Sequence, residues 1–565
     1  MARRIGVLPR LWGIALIILL LGPALGRGYV LTYDMVFVPH LAMRSDFLGL
    51  GTGLPRAVPS DAVVAILDNL IPGMLLQKLV LTGSLFSAAE GMLRLVPESR
   101  AARLTAVTVT IWNPYTVERL GIGHWTMLMA YAAVPWLVLV ATRARCEGTL
   151  PLTGWLIAPL GALSASAGVV VAATLLVVGV RGARGAWRSN LQLVCLAVAA
   201  NAPWLVAGML HASAALRDEG TSWFGLHAEG GLPAPLAALS MGGIWNREVV
   251  PASRTGALAW VALATLGALA VCGARRWWRW GGAAAPRLVA LWAVGLGLTL
   301  LTWASPEAVA WLAGHLPGGG LLRDAPRLLA LCLPVYAGTI AAGVEVLVDG
   351  LRHPDLAVPR SVLAVACVVL PLALMPDARW GLGGALTPST FPASWDRARE
   401  LAAPGHGDVL LLPLSAYRAP PWTQGRTIID PLGRFLRPNF LASDDLVVSG
   451  TVVSGEDPRL PAVRAALARG DAVGRAAALG SLGVGYVAED LDSGLPPSPR
   501  IAGTVVLTTT ELRLVRLDAV QPRRAATTDR LLLAGAWLAY LACYVTRLAV
   551  GIRRVGIRRI RHRSG

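Results

Sequence analysis

The residues best suited to chemistry fall in three short clusters. The first is a stretch of about 40 residues, 27–66, which carries Asp34, His40, Arg44, Asp46 and Asp61 and leads to Asp68-Asn69. A carboxylate held beside an apolar segment can take a proton from an attacking hydroxyl. Asp34 follows the first apolar run closely and is the candidate general base, with Asp46 and Asp68 as supporting acids. Asp61, just before Ala62-Val63-Val64, has the position of a helix cap. The second cluster runs from Asn113-Pro114 to Glu118-Arg119 and on to Gly123-His124-Trp125. Asn-Pro should end a helix, leaving Glu118 as a further supporting acid and Arg119 as a cation for an anionic group. His124 and Trp125 then offer a surface for a second substrate, against the competing role of interfacial anchors. The third cluster is Gly318-Gly319-Gly320-Leu321-Leu322-Arg323-Asp324-Ala325-Pro326-Arg327. Backbone amides at a helix N-terminus, with Arg323 and Arg327, suit a phosphate. The alternative there is a flexible turn capped by Asp324. Gly49-Leu50-Gly51-Thr52-Gly53 is not a nucleotide fingerprint, because no strand precedes it.

The elements that must hold these clusters are set by composition. Of 565 residues, 55% are hydrophobic and 15% charged, with a mean hydropathy of +0.58. Soluble domains carry about 25% charged residues. The sequence therefore excludes a soluble enzyme, a disordered chain and a small disulfide scaffold, and requires a polytopic α-helical membrane protein. Its six cysteines include no CxxC spacing, so neither a disulfide framework nor a zinc site is indicated. Apolar runs mark Leu11–Gly26 and segments centred on 67–93, 104–116, 126–142, 152–164, 166–180, 191–210, 255–273, 288–304, 328–347, 361–376 and 531–550, about 12 spans in all. The first run also has the form of a cleavable leader, but the many spans after it favour an anchor. The 149–180 stretch should cross twice as a short hairpin turning near Ser164–Ala167.

Arginine sets the orientation. With the N-terminus inside, the cytoplasmic segments hold 23 Arg, against nine in the outer loops before residue 328. Asp34, Asp46, Asp61, Glu118, Asp218, Glu219, Glu229, Glu248, Glu307 and Asp324 all fall outside. Both termini are expected in the cytoplasm. The net charge of +18 then serves topology and contact with anionic membrane lipid, not nucleic acid. Lys78, Glu90 and Glu345 lie within spans without forming a relay.

Three parts follow: a membrane domain, 1–376, with about eleven spans; an extracytoplasmic α/β domain, 377–529; and a last span with a basic cytoplasmic tail, 530–565. Within the α/β domain, Asp408–Leu414, Leu446–Val453 and Thr504–Leu517 read as strands, Leu460–Leu479 has helical spacing, and Gly483–Val487 reads as a buried strand. Trp395, Tyr417 and Trp422 have faces that could stack on sugar rings.

The acidic first outer loop, the Asn-Pro-x-x-x-Glu-Arg stretch with Gly-His-Trp and the Leu-Arg-Asp-x-Pro-Arg opening of a late span resemble the GT-C superfamily. Over about residues 1–350 the layout is similar to the membrane module of actinobacterial arabinofuranosyltransferase-D-like proteins. The trailing domain, through Leu482-Gly483-Val484-Gly485-Tyr486-Val487, resembles those of YfhO-like membrane proteins. The resemblance implies an inverting transfer from a polyprenyl-phosphate sugar to an envelope glycan or glycolipid on the outer face. Asp34 would act as base, Arg119, Arg323 and Arg327 would hold the donor phosphate, and His124, Trp125 and Trp422 would bind the acceptor. It assigns no certain cofactor and leaves a divalent metal open. The alternative is a non-catalytic lipid-intermediate translocase or envelope assembly factor, which requires a polar cavity through the spans.

Overall fold

The computed structural model describes residues 6–563 apart from 98, 183–184, 213–222, 351–358, 444, 449–450, 454 and 456. The expected outer acids Asp218 and Glu219 lie outside the described residues, as do the side chains of the basic tail. Helices dominate. In chain order they include α1 (Val7–Leu21), α2 (Ser60–Asp68), α3 (Gly73–Leu95), α4 (Arg100–Ile111), α5 (Pro114–Gly121), α6 (Trp125–Glu147), α7 (Gly154–Gly161), α8 (Ala165–Gly179), α9 (Trp187–Leu210), α10 (Ala257–Gly281), α11 (Ala285–Ala304), α12 (Leu333–Gly350) and α13 (Arg360–Leu374). Thr527–Arg563 forms the last helix.

Five stretches among the described residues are long and apolar enough to cross a bilayer: Val7–Leu25, Trp125–Glu147, Trp187–Leu210, Ala257–Ala304 and Ala325–Gly350. Arg360–Leu374 with Pro376–Gly383, bent by 73°, makes a sixth if the pair is one span. This is a membrane protein; among the described residues five or six stretches meet that measure, against about 12 apolar runs in the sequence. The differences have local causes. The expected spans at 255–273 and 288–304 fall in one 48-residue stretch, in which Gly282 at φ 49° interrupts the helix. The Asn113-Pro114 break divides α4 from α5, as the sequence predicts: the Asn113 side chain accepts from the Thr116 amide at 3.0 Å and caps α5. In the 149–180 hairpin, Ser164 caps α8, but α7 has only eight residues. At 1.5 Å per residue that is about 12 Å, well short of a hydrocarbon core of about 30 Å.

The sheet unit holds a five-stranded sheet ordered β10-β11-β9-β3-β6. Its strands are β3 (Asp408–Leu412), β6 (Phe440–Leu441), β9 (Val484–Asp490), β10 (Thr504–Thr508) and β11 (Leu512–Arg516). β3 runs parallel to β6 and β9, and β9, β11 and β10 form an antiparallel meander. β9 is buried along its whole length, as its apolar run predicts. Gly485 is required within it, because a Cβ there would sit 1.7 Å from the His406 carbonyl oxygen. Three expected elements divide. Thr504–Leu517 is the β10–β11 hairpin, Leu446–Val453 contains the hairpin of β7 (Leu446–Val448) and β8 (Thr451–Val453), and Leu460–Leu479 is two helices, Leu460–Leu467 and Ala472–Ser481.

The sheet unit is sewn to the first long loop. β1 (Tyr29–Val30) pairs with β2 (Pro388–Ser389), and Gln77 of α3 holds both backbone groups of Val30, at 2.8 and 2.7 Å. Asp61 pairs with Arg434 at 2.9 Å. Arg44 is buried against Phe47 and Phe440 and donates to the Gly433 and Pro438 carbonyls. One hydrophobic core runs unbroken from Leu16 and Leu20 of α1 through Phe37, Trp112 and Trp395 to Leu512 and Leu514 of β11.

Candidate active site

Asp34 lies where the helices, the first loop and the sheet unit meet. Four hydrogen bonds fix the backbone of Asp34 and the two residues before it. The Asp34 amide donates to the Ile122 carbonyl at 3.1 Å, and the Thr32 hydroxyl donates to the Gly121 carbonyl at 2.6 Å. On the opposite side Tyr33 exchanges two backbone bonds with a short hairpin of the sheet unit, β4 (Tyr417–Arg418) and β5 (Ile428–Ile429). The Tyr33 amide donates to Thr427 and the Ile429 amide to Tyr33, each at 2.8 Å. Tyr33 is thereby held at φ 36°, a left-handed conformation uncommon for an aromatic residue. Its hydroxyl donates to Glu248.

The Asp34 carboxylate accepts one bond at each oxygen. The Tyr417 hydroxyl donates to Oδ1 at 2.6 Å, and His124 Nε2 lies 3.1 Å from Oδ2. Arg119 Nη1 donates to His124 Nδ1 at 3.0 Å, so Nδ1 accepts and the imidazole proton resides on Nε2, facing Asp34. Arg327 Nη2 lies 3.2 Å from the same Nε2, and Asp324 sits 2.6 Å from Arg327 and 4.0 Å from Arg119. The Asp324 oxygens approach these guanidinium groups without hydrogen-bond alignment, so the contact is an ion pair. Asp324 makes no side-chain cap for the turn it begins; its charge serves the two arginines.

Asp34 is set deep in the protein, yet 37% of its side chain is open, toward a cavity. Burial alone would raise its pKa. The bonds from His124 and Tyr417 and the charge of Arg327 outweigh that and hold it at about 2. Burial and the cations Arg327 and Arg119 push His124 down to about 4 against the pull of Asp34, so the ring is neutral at physiological pH.

The cavity measures about 1520 Å³. Its lining includes Asp34, His124, Trp125, Tyr417, Ser166, Arg323, Asp324 and Arg327, and the apolar side chains of Trp204, Leu205, Met209, Phe224, Trp245 and Leu321. Arg327 also donates to Ser166 at 3.3 Å, and its carbonyl accepts from Tyr115 at 2.9 Å. Arg323 turns back toward the Gly320 carbonyl at 3.3 Å.

Several residues selected from sequence have different neighbours from those expected. Arg119, assigned to donor phosphate, is 1% exposed behind His124 and over the Tyr115 ring, and orients the imidazole. His124, assigned to the acceptor, supports Asp34. Glu118 is 1% exposed and faces Glu229 and Arg254, not the cavity. Burial and the charge of Glu229 raise its pKa well above the usual carboxylate range. Asp68 accepts from the Leu41 amide and tethers the loop away from the cavity. Asp46 lines the cavity but is committed to Arg44 at 3.2 Å. Trp125 reaches the cavity while packing on Phe37, with ring centroids 5.3 Å apart. Trp422 packs among Phe391 and Trp395, at 5.4 and 5.6 Å, away from the cavity lining. Sequence reasoning missed Tyr417 as the partner of Asp34 and Ser166 as the partner of Arg327. Tyr417 lies 383 residues from Asp34, and nothing local marks that contact.

The residues around Asp34 do not fit a divalent cation. Both of its oxygens already accept a hydrogen bond, Arg327 adds positive charge, and Asp46 and Asp61 are tied to Arg44 and Arg434. Among the described residues no three His, Cys, Asp or Glu side chains form a group able to hold a metal.

No family model and no curated protein matches the sequence. Among solved structures, the fold is similar to that of arabinofuranosyltransferase AftD from Mycobacteria, with a TM-score of 0.54 at 16% identity over 92% of this chain and 40% of that one. A mutant form of AftD gives the same TM-score and identity over 91% and 41%. This chain thus spans about 40% of the length of AftD. The archaeal oligosaccharyltransferase AglB from Archaeoglobus fulgidus, solved with an inhibitory peptide and a dolichol-phosphate, aligns at a TM-score of only 0.31 and 12% identity, covering 86% of this chain and 65% of its own.

Proposed function

We propose that this chain is an integral membrane glycosyltransferase that moves a sugar from a polyprenyl-phosphate donor to an envelope glycan or glycolipid on the outer face. The observation that carries the reading is one ionised carboxylate, Asp34, open to a large cavity beside the cations Arg323 and Arg327. The cavity exceeds the 300–1,000 Å³ of common small-ligand pockets, as a site for two substrates should. The apolar side chains in its lining suit the first isoprene units of a lipid donor. In the reaction the acceptor oxygen attacks the anomeric carbon and the bond to the lipid phosphate breaks with its electron pair on the phosphate. Arg327 and Arg323 receive that negative charge. The acceptor proton passes to Asp34 and the anomeric configuration inverts. An aspartate with a pKa of about 2 is a weak base. It suffices when the transition state is oxocarbenium-like, because the attacking oxygen becomes acidic before its proton leaves. Asp46, Asp68 and Glu118 have no direct part in this step.

The sheet unit, 377–529, is proposed as the extracytoplasmic acceptor-binding domain following a membrane domain, 1–376, with 530–565 as the last span and cytoplasmic tail. Purified Asp34→Asn should lose about 10²–10⁴-fold in transfer from a polyprenyl-phosphate sugar while inserting normally in the membrane. Unimpaired transfer by that variant, or no transfer by the wild type with any lipid-linked sugar, defeats the proposal.

A further inference from the structure

Tyr417 belongs to the β4–β5 hairpin, which stands apart from the five-stranded sheet. The hairpin meets Asp34 at two levels. Its backbone bonds flank Tyr33, the residue before Asp34, and the Tyr417 hydroxyl reaches the Asp34 carboxylate itself. The Tyr33 and Tyr417 rings also meet edge to face, 5.9 Å between centroids. The next residue, Arg418, is 1% exposed in its side chain and pairs with Asp430 at 2.7 Å and Asp490 at 3.6 Å, at the end of β9. A continuous set of contacts therefore runs from the central sheet through Arg418 and Tyr417 to Asp34.

We propose that Tyr417 is a positioning residue for the transfer, by which the outer sheet unit fixes the plane of the Asp34 carboxylate. This rests on the reading of Asp34 as the base. An ionised carboxylate has about four lone-pair sites. His124 occupies one on Oδ2 and Tyr417 one on Oδ1, which fixes the rotation of the group and turns the remaining sites toward the cavity. Because the same hairpin holds the backbone of Tyr33, phenol and carboxylate keep their relative position. The acceptor hydroxyl therefore approaches beside Tyr417, not in its place. Burial and the charge of Asp34 raise the Tyr417 pKa well above the phenol range, so it remains a donor.

The test uses the full chain in lipid nanodiscs with the polyprenyl-phosphate sugar that gives the wild type its highest rate. Tyr417→Phe removes one bond to a charged group, and kcat should fall about 10- to 100-fold with donor KM within about twofold. Asp34 then loses a donor that keeps it ionised, and the acid limb of kcat should move up by about one pH unit. Elution and membrane insertion like those of the wild type show that the variant has folded. A wild-type kcat and acid limb overturn the inference. So does a reduced kcat with an unmoved acid limb, which indicates a structural role alone. Asp34→Asn run alongside separates the two levels. If it retains transfer, the reading of Asp34 fails and this inference with it. If it is inactive while Tyr417→Phe behaves as wild type, only the positioning role fails.

Discussion

Arg119 offers only protons to Nδ1 of His124, which confines the ring proton to Nε2, where it meets Asp34. A second ring proton would have to face Arg119, and Arg327 lies 3.2 Å from Nε2, so the folded protein refuses protonation until about pH 4. The unfolded chain accepts that proton below about 6.5. Between these values the unfolded state binds more protons, so His124 makes stability rise with pH across the window and adds no slope outside it. Asp490 acts in the opposite sense. Burial raises its pKa from 3.8 to about 6, the folded state keeps a proton the unfolded state has released, and stability falls as pH rises between those values. His124→Gln isolates the first effect, since an amide can face Arg119 with its oxygen and Asp34 with its nitrogen at every pH. In paired thermal melts from pH 4 to 7, the difference between wild type and His124→Gln should rise up to about pH 6.5 and then level. A flat difference would remove the neutral, doubly bonded imidazole from the account.

At the scale of elements, the turn joining α5 to α6 decides whether Asp34 and His124 meet. Gly123 has φ 80°, and a Cβ there would lie 2.3 Å from the Met35 amide nitrogen and 2.5 Å from the Thr32 carbonyl oxygen. No rotamer relieves a clash with backbone, so Gly123→Ala must push the Thr32–Met35 segment off the helices. Transfer should fall as far as in Asp34→Asn. Gly148→Ala is the matched control. It also has positive φ, 71°, but its Cβ would meet nothing within 4 Å, so its cost is the backbone strain alone, about 1 kcal/mol. Equal activity losses in the two variants would show that strain, not the close approach, matters. These contacts also show what the sequence made legible. Asn113-Pro114 marked the α4–α5 break and the apolar run after Gly483 marked β9, because caps and burial patterns are local. The seating of Tyr417 on Asp34, and the burial of Glu118 against Glu229 and Arg254, arise from elements far apart in the chain. Acidic and basic residues in sequence gave candidates for the site, but not which charges were already committed to structural partners such as Arg44 and Arg434.

At the scale of the whole molecule, the site requires the sheet unit and the first loop to lie on one side of the membrane, where they share a core and close the cavity together. Exposed tryptophans fall near both ends of the apolar helices. Trp260 and Trp303 lie at the ends of α10 and α11 away from the Gly282 break, and Trp380 lies in the short segment that opens the sheet unit, while Trp187 and Trp278 accompany Arg188 and the Arg275, Arg276 and Arg279 group. Tryptophan favours both interfaces of a bilayer, whereas arginine favours the cytoplasmic side. The proposed orientation therefore puts the Trp187 and Trp278 ends in the cytoplasm and the sheet unit outside. Ala385 follows the bent Arg360–Gly383 pair and precedes β2, so a reporter joined after it samples the side of the sheet unit directly. One joined after Gly565 follows the last helix. The first fusion should be active only as an extracytoplasmic reporter and the second only as a cytoplasmic one. If the Ala385 fusion reports the cytoplasm, Asp34 lies there as well, since the loop carrying it is bonded to the sheet unit at Tyr29, Tyr33, Arg44 and Asp61. Transfer to an outer-face acceptor would then be impossible for this site.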